Sequence, residues 1–298
     1  MNKISAFAPA SIANLNAGFD ILGLALNTLG DTVELTFNNT TENVINEIVN
    51  GDNLPKEVQK NSCSVVIRKM QEQLNDFQGV DIKIIKGFES GSGLGSSSAS
   101  CAAAAIAYNE ILGNPFSKRE LVYFAGEGES VASGTIHYDN VAPAIFRGLT
   151  LVKDAETILN LPIPENLYMV VLFQKIEIKT SDARNILPNE ISRQTSVKQS
   201  AHLASFIVAL YENDLDLMRK SMKDFIAEPH RSKLIPNFME LKEIAEKNNC
   251  ISFGISGSGP TVFTLVEGQE TAQNIENQFN EYLKNTLIPY HLFVDKIS

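Results

Sequence analysis

Glycine and serine are concentrated in one segment, residues 87–99, which reads GFESGSGLGSSSA. It follows a strand-like run at Val80–Ile85 and leads into an alanine-rich run. Glycines let the backbone take positive φ angles, and the free N–H groups of such a loop and of a helix N-terminus point towards a bound anion. Hydroxyls at Ser96, Ser97 and Ser98 add donors and a possible metal ligand. The segment therefore predicts a phosphate-binding loop between a strand and a helix.

This loop differs from two common phosphate-binding motifs. It is not a Walker A loop, because no Gly-Lys-Ser or Gly-Lys-Thr follows, and it lacks the glycine spacing of the dinucleotide-binding fingerprint. A glycine-rich turn taken alone is often only structural, so the function of this one depends on the rest of the chain.

Two further segments combine polar and small residues. Residues 9–20 read PASIANLNAGFD, and alone they favour a turn rich in Asn and Asp. Residues 254–261 read GISGSGPT between two strand-like runs, and alone they favour a hairpin turn. Neither segment on its own indicates a function.

The elements that would position these segments form an α plus β pattern in the first half of the chain. Strand-like runs lie at Thr32–Phe37 and Val80–Ile85, and apolar residues near helical spacing predict a helix over Ser62–Leu74. The alanine-rich run after Gly95 predicts a second helix. Ser117 followed by Glu120 predicts a capping box that opens a helix to about residue 126, followed by an irregular polar stretch to residue 148.

The second half of the chain predicts a ferredoxin-like α+β sandwich. We therefore predict two domains, residues 1–150 and 151–298, and expect the ligand to bind in a cleft between them. The predicted strands are Leu167–Phe173, a paired strand Ile176–Lys179, Cys250–Gly254, Thr261–Val266 and Leu287–Val294, with two or three helices after the second strand and one more before the last.

Composition excludes several classes of function. The formal net charge is −10, which argues against nucleic acid or an anionic membrane as a partner, because such surfaces need a basic stripe. Cys63, Cys101 and Cys250 lack disulfide or metal-site spacing and predict reduced, buried thiols. The N-terminal residues lack the apolar core of a signal peptide, and no apolar run reaches membrane-spanning length. We therefore expect a cytoplasmic protein.

Taken together and in this order, the three segments resemble the three motifs of the GHMP kinases, and the middle one, GSGLGSSSAS, is the most specific. The resemblance spans nearly the whole chain. It implies a two-domain α+β fold, with an N-terminal ribosomal-protein-S5-like domain that binds the nucleotide and a C-terminal ferredoxin-like domain. It also implies ATP and Mg²⁺ as cofactors and a homodimer.

Three other segments resemble the branch of this family that phosphorylates the hydroxyl of L-homoserine: residues 137–146 (HYDNVAPAIF), 183–188 (ARNILP) and 228–236 (EPHRSKLIP). An amino acid needs a cation for its carboxylate and an acceptor for its ammonium group, and arginine pairs well with carboxylates. The resemblance accordingly implies a substrate pocket made by Asn14, Asp20, His137, Asn140, Thr180, Arg184 and Arg231.

The resemblance also assigns the nucleotide and metal groups. Asn61 matches a position that contacts adenine. Ser97 and Glu129 match the metal site, and Asn140, Glu129 and Ser97 match the catalytic positions. The segment that would hold the phosphates comprises Glu89, Ser90, Gly91, Ser92, Gly93, Leu94, Gly95, Ser96, Ser97, Ser98 and Ala99.

Asn140 stands where many GHMP kinases are thought to use an aspartate base, and an amide cannot usefully accept a proton. The hypothesis is that Asn140 orients the acceptor hydroxyl, and that its proton leaves late or to phosphate. Two rival functions stay open at this point. A mevalonate-type kinase would also need Arg184 and Arg231, and a catalytically silent metabolite sensor would keep the fold without turnover.

Overall fold

The structure is a computed structural model that describes residues 3–51 and 54–298, with the backbone alone at 132 and 133. Its first half forms a six-stranded sheet in which the order is β3-β4-β2-β5-β6 and β1 pairs with β2. β3 and β4 are parallel, and the other neighbouring pairs are antiparallel. The strands are β1 Lys3–Ala13, β2 Leu22–Phe37, β3 Val44–Val49, β4 Val80–Ile85, β5 Leu149–Val152 and β6 Ile158–Leu161.

Helices α1 (Ser62–Leu74), α2 (Ser96–Ile111), α3 (Lys118–Ser133) and α4 (Tyr138–Phe146) pack with this sheet. α2 is central because its alanines allow close approach: Ala102, Ala103, Ala104 and Ala105 have no exposed surface. The predicted capping box at the start of α3 is confirmed, since the Ser117 side chain accepts from the Glu120 N–H and the Glu120 carboxylate accepts from the Ser117 N–H.

The second half forms an antiparallel four-stranded sheet in the order β10-β7-β9-β8. Its strands are β7 Leu167–Gln174, β8 Ser252–Ile255, β9 Val262–Glu267 and β10 Tyr290–Lys296. The helices are α5 Thr180–Asn185, α6 Arg193–Glu212, α7 Leu215–Ser221, α8 Glu228–Arg231, α9 Phe238–Lys247 and α10 Gln269–Leu283, with a short 3₁₀ turn at Ser232–Leu234.

The two sheets share one hydrophobic core. Ile12 and Leu22 of the first sheet pack in the same cluster as Met169 and Phe263 of the second, and Phe206 of α6 closes it. The expected α+β architecture of two joined halves is therefore present. The proposed boundary at residue 150 stays a prediction, because β5 crosses it and β6 follows in the same sheet.

Two local predictions were wrong. Residues 130–148 are not irregular throughout, because α3 continues to Ser133 and α4 begins at Tyr138. α3 continues through Gly128 although glycine has a low helix propensity. At this position α3 packs so closely on α1 that a Cβ would collide with Val66 and with the backbone of Ser62, so the packing requires glycine.

The second error is the strand expected at Ile176–Lys179, where the chain turns and leads into α5. The reason is that both edges of β7 are already paired, one with β10 and the other with β9. No helix of the described chain combines the length and the apolar character needed to cross a bilayer.

Candidate active site

A cleft of about 970 Å³ lies between the two sheets and their helices. Residues from every segment that the sequence singled out line it, and they come from both halves of the chain. Those from the predicted site are Asn14, Asp20, Asn61, Ser90, Gly91, Gly93, Gly95, Ser96, Ser97, Glu129, His137, Asn140, Thr180, Arg184 and Arg231.

The phosphate-binding segment connects β4 to α2, as predicted. Its glycines are conformationally required: Gly93 and Gly95 have φ angles of +80° and +68°. A Cβ on Gly95 would lie 2.5 Å from Ser11 Oγ and 2.7 Å from Asn140 Oδ1. The loop is therefore packed directly against a residue assigned to the acceptor site.

The first and third segments hold this loop from both sides. Ser256 Oγ donates to the Gly93 carbonyl at 2.7 Å, and Thr261 Oγ1 donates to the Ser92 carbonyl at 2.6 Å. On the other side the Ser11 N–H donates to the Leu94 carbonyl at 3.0 Å. Three segments that were ambiguous individually thus form one structure, which fixes the path of the phosphate-binding loop.

A buried ion pair that sequence reasoning missed supports the same loop. Lys86 pairs with Asp31, and the two side chains are 3% and 0% exposed. Lys86 Nζ also donates to the Ser96 carbonyl at 3.0 Å, while Asp31 Oδ1 accepts the Gly87 N–H at 3.0 Å. Both ends of the loop are therefore tied to one ion pair. A single lysine at the end of a strand before a glycine loop was the available signal.

The first turn of α2 contacts the carboxylate of Glu129. Ser98 Oγ donates to Glu129 Oε1 at 2.8 Å, whereas Ser97 faces the cleft. Ser96 Oγ is buried and lacks a hydrogen-bond partner among the described residues. These oxygen donors suit Mg²⁺, which in phosphoryl-transfer sites is held by one or two carboxylates together with substrate phosphates and water. No group of three or more His, Cys, Asp or Glu side chains in the described chain could hold a metal alone.

His137 lies against Glu129 in two ways. Its backbone N–H donates to Glu129 Oε2 at 3.0 Å, and its Nδ1 lies 3.3 Å from Glu129 Oε1. Burial acts to lower the pKa of His137, but the hydrogen bond and the charge of Glu129 outweigh it, so the pKa is raised. The imidazolium form is thereby favoured next to the predicted metal ligand.

Asn140 lies in the first turn of α4, beside the phosphate-binding loop. Its Oδ1 accepts a hydrogen bond from Ser11 Oγ at 2.9 Å. The adjacent Asp139 also lines the cleft, and it was missed although it lies within a quoted segment. Burial, and then the charge of Asp20, raise the pKa of Asp139 to about 7.

The charged end of the cleft carries cations and carboxylates together. Arg184 Nη2 pairs with Asp20 Oδ1 at 3.2 Å. Arg231 is 4% exposed and donates to the carbonyls of Gly257 and Ala183 at 2.7 and 2.9 Å. Burial lowers the pKa of Arg231 from its high reference value. Glu228, at the other end of α8, pairs with Lys242.

Asn14 completes the turn at this end of the cleft. It accepts the Asp20 N–H at 2.9 Å and donates to the Gly257 carbonyl at 3.3 Å, with a φ angle of +72°. Thr180, the first residue of α5, is exposed at the rim. The residues implied for an amino-acid substrate are therefore neighbours in space.

The far end of the cleft is more apolar and includes Leu54, Pro55, Ile84 and Val131. Asn61 lies here as the N-cap of α1: its Oδ1 accepts the Cys63 N–H at 3.0 Å. Its contact with adenine stays a prediction.

Some residues of the predicted phosphate-binding segment do not line the cleft. Glu89 pairs with Lys175 at 2.6 Å, and Leu94 and Ala99 are buried in the interior. Ser92 and Ser98 are also buried. Tyr138, between His137 and Asp139, packs with the hydrophobic core of the first half and does not line the cleft.

Comparison with known sequences gives matches in both halves of the chain. The family described as GHMP kinases N terminal domain matches residues 58–148, and GHMP kinases C terminal matches residues 206–285. The homoserine kinase of Buchnera aphidicola is 40% identical and covers 98% of this chain and 97% of its own length. The homoserine kinase of Methanococcus maripaludis is 44% identical, and the match covers 94% of this chain and 93% of that protein.

Solved structures agree. The homoserine kinase of Cytophaga hutchinsonii superposes with a TM-score of 0.96 at 39% identity, covering 100% of this chain and 95% of that one. A mevalonate kinase superposes with a TM-score of 0.72 at 15% identity and full coverage of both chains, which is a likeness of fold alone.

Proposed function

The chain belongs to the homoserine kinases of the GHMP kinase family, and we propose that it transfers the γ-phosphoryl group of ATP to the side-chain hydroxyl of L-homoserine. The product is O-phospho-L-homoserine, an intermediate of threonine biosynthesis. The observation that carries this proposal is identity of about 40% to homoserine kinases over nearly the whole chain. The cleft, where a glycine loop adjoins a cluster of arginines and carboxylates, supports it.

The phosphate-binding loop would hold the nucleotide through its backbone. Gly91, Gly93 and Gly95 have positive φ angles that leave N–H groups available at the start of α2, where the helix dipole also favours an anion. Because the loop is tied down by Ser256, Thr261 and Lys86, little reorganisation is needed when ATP binds.

The arginines and acids would recognise the two ends of an amino acid. Arg184 and Arg231 suit the substrate carboxylate, and Asp20 suits its ammonium group. Asp139 adds a second acid near Asp20, and an incoming ammonium group would stabilise its charged form and so lower its pKa. A mevalonate-type substrate has no ammonium group to meet these carboxylates.

Mg²⁺ is proposed to bind at Glu129 and Ser97, with Ser96 and Ser98 beside them. When bound there, Mg²⁺ would supply positive charge that offsets the negative charge developing on the transferred phosphoryl group. Because Glu129 raises the pKa of His137, the imidazolium form is favoured beside the proposed metal ligands. We therefore expect metal binding to release a proton from this pair.

Asn140 is proposed to orient the acceptor hydroxyl for in-line attack. Its side chain is placed by the hydrogen bond from Ser11 and by the close packing of Gly95. Since an amide is not a base, the hydroxyl proton leaves late or passes to the transferred phosphoryl group.

A homodimer in the cytoplasm is the remaining part of the proposal. Reduced thiols fit that compartment: Cys63, Cys101 and Cys250 are unpaired and buried, and burial raises the pKa of each.

The test is a coupled assay of ADP release with ATP, Mg²⁺ and L-homoserine, run beside L-threonine, L-serine and mevalonate. Preference for L-homoserine is expected, with phosphorus NMR identifying the phosphate ester. Turnover with mevalonate alone would leave the reaction type in place and overturn the assignment of the substrate pocket. Nucleotide binding without turnover of any acceptor would favour the sensor instead.

A further inference from the structure

Helix α6 is apolar on two opposite faces. Its inner face packs into the core that joins the two sheets, through Phe206, Ala209 and Leu210. On the outer face Val197, Val208 and Tyr211 are 64%, 46% and 67% exposed, and Ala201 and Ala204 between them are exposed as well.

This outer face has the spacing of a helix-packing seam. Positions 197, 201, 204, 208 and 211 are separated by 4, 3, 4 and 3 residues, which is the a and d pattern of a heptad repeat. A surface helix of a globular protein normally turns polar residues outward. Apolar residues at this spacing on the solvent side are typical of a helix that packs against another helix.

The outer face is also symmetric about its own centre. Val197 and Val208 lie at equal distances from the midpoint between residues 202 and 203, and so do Ala201 and Ala204. If a second copy of α6 lay antiparallel across this midpoint, Val197 of each copy would face Val208 of the other. Ala201 of each copy would likewise face Ala204 of the other. Self-complementarity of this kind is the requirement of a two-fold symmetric contact.

The charges at the two ends obey the same symmetry. Arg193 and Glu212 are the first and last residues of α6, they lie at equal distances from the midpoint, and both are exposed. Neither has an ion-pair partner in the part of the chain that the structure describes. In an antiparallel pair each Arg193 would face Glu212 of the other copy, which gives charge complementarity at both ends.

We propose that the outer face of α6 is the site where a second copy of this chain docks, antiparallel and related by a two-fold axis near residues 202 and 203. At a rise of about 1.5 Å per residue, the valines of one helix are about 16 Å apart, and the alanines between them permit an interaxial distance of about 8 Å.

The helix face alone is about 30 Å long and about 10 Å wide. Its area of about 300 Å² is less than the roughly 800 Å² per partner of a standard interface. Neighbouring surface therefore contributes, and exposed Ile191, just before α6, extends the apolar area.

This surface points away from the cleft. On the inner side of α6, Gln199 donates to the carbonyls of Asn16 and Ala17 in the substrate-side turn, at 3.4 and 2.8 Å. Docking on the outer face would hold the helix that supports this turn without covering the site. The proposal rests on the homodimer of the proposed function and names its interface. The assay with different acceptors tests the reaction and the mass in solution tests the dimer, so the two can fail separately.

The first experiment measures the mass in solution of the wild-type protein and of Val208→Glu, by light scattering after gel filtration and by sedimentation velocity. The wild type is expected to be a dimer and Val208→Glu a monomer, because each dimer would bury two new carboxylates against valines. Met239→Glu is the matched control, since Met239 is 67% exposed on α9, and it should stay dimeric. A monomeric wild type, or a dimer that persists in Val208→Glu, would overturn the proposal.

A charge exchange tests the antiparallel geometry. Arg193→Glu and Glu212→Arg should each raise the dimer dissociation constant about 2-fold to 30-fold, since exposed pairs contribute about 0.2–1 kcal/mol each and occur twice. The double variant restores both pairs across the interface and should return towards the wild-type value. If the double variant is as weak as the single variants or weaker, the two residues do not face each other. Circular dichroism of all variants checks that α6 remains folded.

Discussion

Ser98 and Glu129 are joined by a hydrogen bond of 2.8 Å that connects the first turn of α2 to the last turns of α3. This bond separates the roles of the adjacent serines, since Ser98 is buried with its hydroxyl occupied while Ser97 is open to the cleft. The phosphate-binding loop and the predicted metal carboxylate are thus joined into one unit by this bond.

We expect Ser97→Ala to raise the Mg²⁺ concentration for half-maximal turnover about 10-fold to 100-fold, because it removes a predicted ligand. Ser98→Ala should raise this concentration less, and should also lower the free energy of unfolding by about 1–3 kcal/mol, because the buried carboxylate of Glu129 loses a donor. Magnesium titrations of turnover and urea unfolding separate the two effects. The opposite pattern would assign the metal to Ser98.

Arg231→Lys should raise KM for L-homoserine at least about 10-fold and change KM for ATP little. Lysine keeps the charge but loses the planar set of donors, two of which bond the carbonyls of Ala183 and Gly257 where Arg231 lines the cleft. Arg219→Lys is the matched control, because Arg219 contacts Cys250 and Asp216 outside this cleft. An unchanged KM for the amino acid would remove Arg231 from the substrate site.

Gly95→Ala should reduce kcat as well as stability. The φ angle of +68° is strained for alanine, and the new Cβ would push against Ser11 and Asn140. Gly113→Ala separates these causes, since Gly113 has a φ angle of +80° but no atom within 4 Å of an added Cβ. We expect Gly113→Ala to lose about 1 kcal/mol of unfolding free energy, and Gly95→Ala to lose more than this and to be the variant that loses turnover. Equal kcat in the two variants would contradict the packing argument.

Local sequence signals predicted the elements well where they agreed with the tertiary structure. The strand, glycine loop and alanine-rich helix around Gly95 are as expected, and so is the capping box at Ser117. Prediction failed where a distant contact decided the outcome. The helix through Gly128 depends on α1, and the absence of a strand at residues 176–179 depends on β10, which lies more than a hundred residues later.

The same distinction applies to the site. Residues in recognisable motifs were found, because the motif itself carries the chemistry. Lys86 was missed because its role depends on Asp31, which is distant in sequence, and Asp139 because its raised pKa arises from burial and from Asp20. The spacing of residues along the chain shows neither which distant side chains meet nor how deeply a carboxyl is buried.

The raised pKa of Asp139 predicts a pH dependence of stability. With a pKa of about 7 in the folded state and about 3.9 when unfolded, this carboxyl keeps a proton that the unfolded chain has already released. This carboxyl therefore contributes a fall in the free energy of unfolding as pH rises from about 4 to about 7. Asp139→Asn has no proton to lose at this position. It should make the slope of unfolding free energy against pH less negative, by the amount that corresponds to up to about one proton.

Urea unfolding at several pH values without Mg²⁺ measures this slope. Asp182→Asn is the control, since Asp182 is exposed on α5 and lies outside the buried cluster. If Asp139→Asn and the wild type show the same slope, the carboxyl is charged in the folded protein.

Asn140→Leu should lower kcat by about 100-fold or more while the affinity for ATP is kept, because the amide is assigned to the acceptor hydroxyl and not to the nucleotide. Turnover and calorimetric binding of a non-hydrolysable ATP analogue measure the two effects. Asn160→Leu, at an exposed position on β6, controls for the substitution itself. Unaltered turnover would exclude Asn140 from the reaction.

Asn140→Asp then tests whether the enzyme works without a base at this position. An aspartate of the same shape could accept the proton from the hydroxyl, but it would also place a negative charge near the phosphate-binding loop, since Gly95 packs directly against this side chain. If orientation is the role of Asn140, the charge should lower kcat over the whole pH range. A variant that gains activity with a new titration near the pKa of a carboxylate would instead show that a base is useful here, and that the native amide limits the rate.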